Sequence, residues 1–194
     1  MKKKYYFCSQ IKTMTVDEIV KGKLWAIRYD GDTDNILVLR VFNIMDAQWR
    51  MEFLDAHKQD LAYHHLSVQQ ASTIIFQELM DIVKALYNNT DKIDEFFHPL
   101  HDTEVETDQT VLLKNKGYLS TPKGKGLLRV YALKLEPSYY VVTGFVIKLA
   151  KAMQDSDHTM DELKNLEKCR EFLIDSGVFD RSSLLESEIT KTQQ

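Results

Sequence analysis

The sequence predicts an α+β fold in which a helical N-terminal half packs on a small antiparallel sheet closed by a C-terminal helix. Three observations predict it. Ser67-Val68-Gln69-Gln70 has the pattern of a capping box, and Ile74, Ile75, Leu79, Ile82, Val83 and Leu86 then recur every three or four residues. Leu127 to Leu135 and Tyr139 to Val146 are alternating or β-branched runs joined by Glu136-Pro137-Ser138, the pattern of a hairpin. Thr159 and Glu162 make a second capping-box pattern ahead of Leu163, Leu166 and Phe172.

The remaining elements follow in chain order. Lys23 to Tyr29 alternates and ends at Asp30-Gly31-Asp32, a strand running into a turn, and the Trp25 strand is a candidate to join the sheet. Ile36 to Met45 is apolar and lacks Gly and Pro, which fits a buried helix or a strand. Asp46 to Leu61 has helical spacing, with Trp49, Phe53, Leu54 and Leu61 near one face. The helix after Ser67 runs to about Tyr87 and ends at Asn88-Asn89-Thr90. Asp91 opens a short helix carrying Ile93, Phe96 and Phe97, which Pro99 stops. His101 to Thr110 reads as an acidic loop, and Gly117 to Gly126 as a mobile connection. Ser176-Gly177 ends the last helix, and the polar residues from Arg181 onward read as a fraying tail. One domain is expected over residues 1–180, with an acidic helical part at about 35–105, the sheet and its helix at about 111–178, and a flexible tail at 181–194.

Composition narrows the class. Of 194 residues, 44% are hydrophobic and 10% aromatic, which fills a core and excludes a wholly disordered chain. No apolar run reaches the roughly 18 residues of a membrane span. Ser9 and Gln10 interrupt the apolar stretch behind Lys2-Lys3-Lys4, so neither a secretory leader nor a membrane is expected. Cys8 and Cys169 form no CxxC pair and read as buried thiols in a reducing, cytoplasmic compartment. The net charge of −4 is unevenly laid out. Residues 28–110 carry six basic and sixteen acidic side chains, whereas residues 111–154 carry eight basic and one acidic. A basic block in an acidic protein is a candidate anion-binding surface, unless it pairs with the acidic block.

Motifs for the usual nucleotide sites, GxGxxG and the Walker loop, are absent, as are GxSxG and HExxH. His64 and His65 point about 100° apart on a helix and chelate poorly. Asp30, Asp32 and Asp34 lack the glycine and closing glutamate of a calcium loop. No metal and no cofactor is expected. Arg129 and Tyr131, two apart on a strand, share one sheet face. Lys148 and Lys151 follow the second strand, and His158 precedes the last helix. A face presenting Arg, Tyr and Lys suits a phosphodiester backbone, with cations on phosphate and a ring against a base. The plainer alternative makes Tyr131 and Tyr140 ordinary sheet filling and the lysines solvated edge charges.

Leu128-Arg129-Val130-Tyr131-Ala132-Leu133, followed by Val141-Val142-Thr143-Gly144-Phe145-Val146-Ile147-Lys148-Leu149-Ala150-Lys151, resembles the paired strands of the bacterial RelE/ParE toxin superfamily. It is most similar to the HigB (phage Gp49-like) branch, over about residues 127–175. The resemblance implies a RelE-like core and a toxin of a bacterial toxin–antitoxin system. In ribonuclease members it implies an endoribonuclease that cleaves mRNA on the ribosome without a metal. Such cleavage needs a base for the 2′-hydroxyl, an acid for the leaving oxygen and cations for the phosphorane. On this chain the resemblance assigns Arg129, Lys148 and Lys151 to phosphate stabilisation, and Tyr131 or Tyr140 to stacking or proton donation. It assigns His158 to proton transfer, and Lys123, Lys125, Lys134 and Tyr140 to RNA binding. RNA or the ribosome and an antitoxin protein are the expected partners, with the oligomeric state open. The chain departs from the family in its length and its acidity, and its acidic helical part reads as a cover for the basic hairpin. The alternative is a non-catalytic, partner-binding domain on a RelE-like fold, which a strongly apolar exposed face over residues 46–61, together with a fully paired basic hairpin, would favour.

Overall fold

In the computed structural model, which describes residues 14–100, 112–121, 124–149 and 157–191, short polar side chains set the helix starts. Asn35 Oδ1 accepts from Val38 N at 3.1 Å and opens α1 (Ile36–Met45), so the ambiguous apolar run is a helix. Asp46 Oδ1 accepts from Gln48 N and Trp49 N at 2.8 and 3.2 Å and opens α2 (Ala47–Ala56). The helix predicted over 46–61 breaks at His57 and resumes as α3 (Lys58–His64). The capping box predicted at Ser67 forms before α4 (Val68–Asn88): Ser67 Oγ accepts from Gln70 N at 3.2 Å, and Gln70 Oε1 from Ser67 N at 2.9 Å. Ser67→Ala is expected to cost about 1 kcal/mol. A denaturant midpoint equal to that of wild type would remove the cap from the stabilising interactions. A single 3-10 turn (Thr90–Lys92) and α5 (Ile93–Phe96) follow.

Nine strands run in chain order as β1 (Met14–Val20), β2 (Leu24–Tyr29), β3 (Phe97–Pro99), β4 (Leu113–Gly117), β5 (Ser120–Thr121), β6 (Gly124–Lys125), β7 (Leu128–Glu136), β8 (Tyr139–Ile147) and β9 (Thr190–Lys191) among the described residues. Seven form one sheet in the order β3-β4-β7-β8-β2-β1-β9, and β5 and β6 pair separately. β2 runs parallel to β8, with Trp25 opposite Val141, and β9 runs parallel to β1. The other pairs are antiparallel.

This corrects the predicted fold class. The class is α+β, but a helical N-terminal half on a small antiparallel sheet, with a RelE-like core, does not fit. The described chain starts with two strands, and its sheet is mixed. Helices cover both faces. Leu128, Val130 and Ala132 join a first core with residues of α1 to α5, whereas Tyr131 and Leu133 join a second core with Leu166, Cys169 and Leu173 of α6 (Asp157–Asp175). The alternation read along the hairpin is therefore the division between two cores.

Three further expectations change. α6 begins at Asp157, so Thr159 lies within its first turn and does not cap it, and Glu162 is buried. Residues 117–126 were expected to be mobile, but β5 and β6 occupy part of them and Gly126 N donates to Leu119 O at 2.8 Å. The expected tail is structured from Arg181 to Lys191. Asp180 Oδ1 accepts from Ser183 N at 2.8 Å and caps α7 (Arg181–Glu186), Leu184 is buried in the second core, and β9 joins the sheet. Cys169 is buried, as expected, and Cys8 lies outside the described residues. No described helix is long and apolar enough to cross a membrane.

Candidate nucleic-acid interface

β7 begins where α4 reaches across to the end of the sheet. Glu78 of α4 is buried and turns its carboxylate onto the backbone. Its Oε2 accepts from Leu127 N at 2.7 Å and from Leu128 N at 3.0 Å. Glycine at 126 permits this approach, because a Cβ there would stand 2.6 Å from Glu78 Oε1. Burial raises the Glu78 carboxyl above its ordinary value, against the pull of the two amide donors and the Arg129 charge. The carbonyls of Gly126 and Leu128 then both accept from Arg129 Nη1, each at 2.6 Å.

Arg129 is only 7% exposed, and burial lowers its pKa. Its guanidinium carbon lies 5.0 Å from the centre of the Tyr118 ring, and Lys125 Nζ lies 4.8 Å from the same ring. The His98 ring is 4.9 Å from Tyr118. Lys116 is the Cα partner of His98 on one side and of Tyr131 on the other, so these residues share the sheet face of Arg129. A half-buried aromatic ring, an exposed lysine, a fixed arginine and an imidazole thus meet at one end of the sheet. Cations beside an accessible ring can hold phosphate and stack a base.

Several predicted site residues come together here and others do not. Arg129 and Lys125 sit at this end. Lys148 also belongs to it, since its backbone N donates to Leu127 O at 2.6 Å. Tyr131 faces the predicted side but is fully buried, packed in the second core, and burial pushes its hydroxyl up to about 12. An RNA base cannot stack on it, which corrects that role. Lys134 and Tyr140 lie at the far end, with Lys134 about 16 Å along β7 from Arg129, and Tyr140 is fully buried. Lys134 Nζ lies 2.8 Å from Asp94 Oδ1, which also accepts from the Tyr140 hydroxyl at 2.6 Å. Burial alone would raise the Asp94 carboxyl, but its donors Lys134, Tyr140 and Ser138 prevail and hold it well below the usual range. This group clamps the hairpin to α5. Lys123 and Lys151 lie outside the described residues, as does the side chain of His158, whose backbone is in the first turn of α6.

On the same face, Gly144 is the Cα partner of Tyr131. A Cβ at Gly144 would stand 2.2 Å from Glu162 Oε2, so glycine lets this buried carboxylate lie against β8. Glu162 Oε1 accepts from Arg40 Nη2 at 3.1 Å. Burial raises the Glu162 carboxyl, and Arg40 partly opposes the shift. Behind it the Cys169 thiol lies 3.5 Å from the Tyr29 hydroxyl and is pushed up to about 11 by burial, which leaves it unreactive.

Among the described helices of the acidic block, α2 to α5 give their buried apolar residues to the first core, and α4 reaches the Arg129 end through Glu78; the acidic stretch 101–110 lies outside the described residues. Among the described residues no group of three or more His, Cys, Asp or Glu side chains is arranged to hold a metal ion. No family model, no curated protein and no solved structure matches this chain.

Proposed function

We propose that this protein binds single-stranded RNA on the surface around Tyr118 and cleaves it as a toxin-like, metal-free endoribonuclease of a bacterial toxin–antitoxin pair. The observation that carries the binding step is the Tyr118 ring flanked by the Lys125 ammonium and the Arg129 guanidinium, with His98 beside it. The cleavage step comes from the resemblance to the HigB branch. In this reading Lys125 and Lys116 contact phosphate and Tyr118 stacks a base. Arg129, clamped by two carbonyls, supplies a fixed positive field at the phosphorane. His98 is the described imidazole placed to take or give a proton.

The test is binding and cleavage of a labelled single-stranded RNA by the full chain. Tyr118→Ala is expected to weaken binding roughly tenfold or more, the loss of one stacked base. Lys125→Ala should reduce the slope of log K against log salt by about 0.7, one phosphate contact on a single strand. Binding that neither substitution changes would move RNA away from this surface, and an intact RNA after prolonged incubation would remove the cleavage step.

One observation favours the partner-binding alternative. Exposed large apolar side chains are absent from residues 46–61 but include Phe42 and Met45 on α1 and Phe76 and Met80 on α4. Arg50 links the two helices: it donates to Met45 O at 2.8 Å and stands 5.1 Å from the Phe76 ring. Loss of a co-purifying partner in Met80→Lys, with no RNA binding by the wild type, would decide for that alternative.

A further inference from the structure

α1 and α4 pack side by side and run antiparallel, as contacts at both ends show. At one end Arg50 Nη1 donates to Met45 O at 2.8 Å and Arg50 Nε donates to Ser72 Oγ at 3.2 Å, with the guanidinium carbon 5.1 Å from the Phe76 ring. At the other end Asp34, just ahead of α1, lies near Tyr87 of α4. Burial raises the Tyr87 hydroxyl, and the Asp34 charge adds to the shift. The end of α1 thus meets the first half of α4, and its start meets the end of α4.

Helical phase sets which side chains line the channel between them. At about 100° per residue, Phe76, Met80, Val83 and Tyr87 fall within about 60° of one another, on the flank of α4 that Arg50 ties to α1. On α1, Val41, Phe42 and Met45 span about 100°. Arg40, which pairs with Glu162 of α6, leaves α1 about 160° round from Phe42, so Phe42 and Met45 lie on the α4 side. Val41 and Val83 are half-buried against the first core and form the floor. Phe42 is 65% exposed, and Met45, Phe76, Met80 and Tyr87 are between 38% and 46% exposed. Single exposed apolar side chains are ordinary, but five along one channel mark an interaction surface.

We propose that this channel takes an amphipathic helix of a partner protein, with lysine or arginine along its polar edges. From Phe76 to Tyr87 the channel is about 16 Å long, three turns of a helix. A helix docked in a groove presents its apolar anchors at i, i+3 or i+4, and i+7, which fits that length. Met45 and Met80 give walls that can adapt to such anchors. Charge selects the partner. Asp30, Asp32 and Asp34 stand at the Tyr87 end and Asp46 at the Met45 end, whereas Lys84 on the rim has Asp81 three residues before it. Basic edges complement this rim, and an anionic lipid surface or a phosphate backbone is repelled by it. A second copy is disfavoured for the same reason, because a two-fold axis across the channel sets its acidic ends against each other. The proposal does not rest on the RNA reading, since neither α1 nor α4 carries Tyr118, Lys125 or Arg129.

The test is fluorescence anisotropy of the full chain with labelled model peptides. Two share one leucine face and differ only in flanking charge, lysine in the first and glutamate in the second. A third is the lysine peptide with a central proline that breaks its helix. The lysine peptide is expected to bind at least about tenfold more tightly than either of the others. The double substitution Phe42→Ser, Met80→Ser removes apolar surface without adding charge, and both positions are exposed. It should weaken the lysine peptide at least about tenfold while circular dichroism and the thermal midpoint stay those of wild type. No binding of the lysine peptide, equal binding of the glutamate or proline peptide, or undiminished binding to the folded double variant would each overturn the proposal. The last outcome would reduce the interaction to charge attraction alone. Two further results would also overturn it by assigning the channel another occupant. One is a dimer in sedimentation that the double variant loses, which gives it to a second copy. The other is binding to phosphatidylserine vesicles in place of the lysine peptide, which gives it to lipid.

Discussion

Replacing Glu78 with alanine is expected to destabilise the fold by about 3 kcal/mol, because it leaves the buried Leu127 and Leu128 amides without an acceptor. The damage should reach the RNA surface as well. The Glu78 carboxylate holds the bend from which the Gly126 and Leu128 carbonyls reach Arg129. Glu78→Ala should therefore lose RNA affinity even below its melting point, although Glu78 lies in the opposite layer. Urea unfolding and RNA titration on the same variant check both parts. Full stability in Glu78→Ala would show that the amides find another partner.

The same residue carries a pH signature. Burial raises the Glu78 carboxyl, so the folded chain keeps this proton to a higher pH than the unfolded chain does. Its contribution to stability is fully present below the ordinary carboxylate value and is lost as pH rises through the raised, folded-state value. Glu162 has the same sign, whereas Asp94 and Glu167 are lowered and act in the opposite direction. The readable quantity is therefore the difference between wild type and Glu78→Gln. Relative to Glu78→Gln, the wild type should lose stability as pH rises above the usual carboxylate range. A constant difference between pH 4 and 7 would contradict the assignment.

Phe145→Ala is expected to cost about 4 kcal/mol. Phe145 is 1% exposed and belongs to the first core. Removing its ring leaves a void that the neighbouring β7 and the helical layer cannot easily close, since both are held by backbone pairing. Calorimetry of Phe145→Ala against Phe145→Leu separates the effect of the void from that of the ring. A cost below about 1 kcal/mol would mean that the layer above β8 relaxes freely.

Much of the architecture was legible where its cause is local. Ser67 acts on an amide three residues ahead, so a short window contains the whole interaction, whereas the caps at Asn35 and Asp46 were not read from the sequence. The β7–β8 hairpin was legible because alternation along one strand records which side chains enter each core. Thr159 misled for the converse reason. Its capping pattern is complete, but Glu162 is buried and pairs with Arg40, 122 positions away, and the helix begins earlier.

The site was only half legible. Arg129 and its face followed from strand geometry. Tyr118 and Lys116 were hidden because Gly117 and Gly124 made the stretch read as a loop, and no local pattern announces β4. His98 stands beside Pro99 in a stretch where no local pattern marks it for this site, whereas its pairing with Lys116 turns it toward Tyr118. Tyr140 and Lys134 looked equivalent to Arg129 in sequence and lie at the other end of the strand, beside Asp94.

By itself, the sequence determined the start of the long helix at Ser67, the two-faced hairpin and the segregation of basic from acidic blocks, because capping, alternation and charge are properties of neighbouring residues. Only the tertiary structure decided that β1, β2 and β9 complete a mixed sheet and that Glu78 sets Arg129 against Tyr118. Those outcomes depend on pairings between residues tens to more than a hundred positions apart. Their selection lies in the burial of both sheet faces at once.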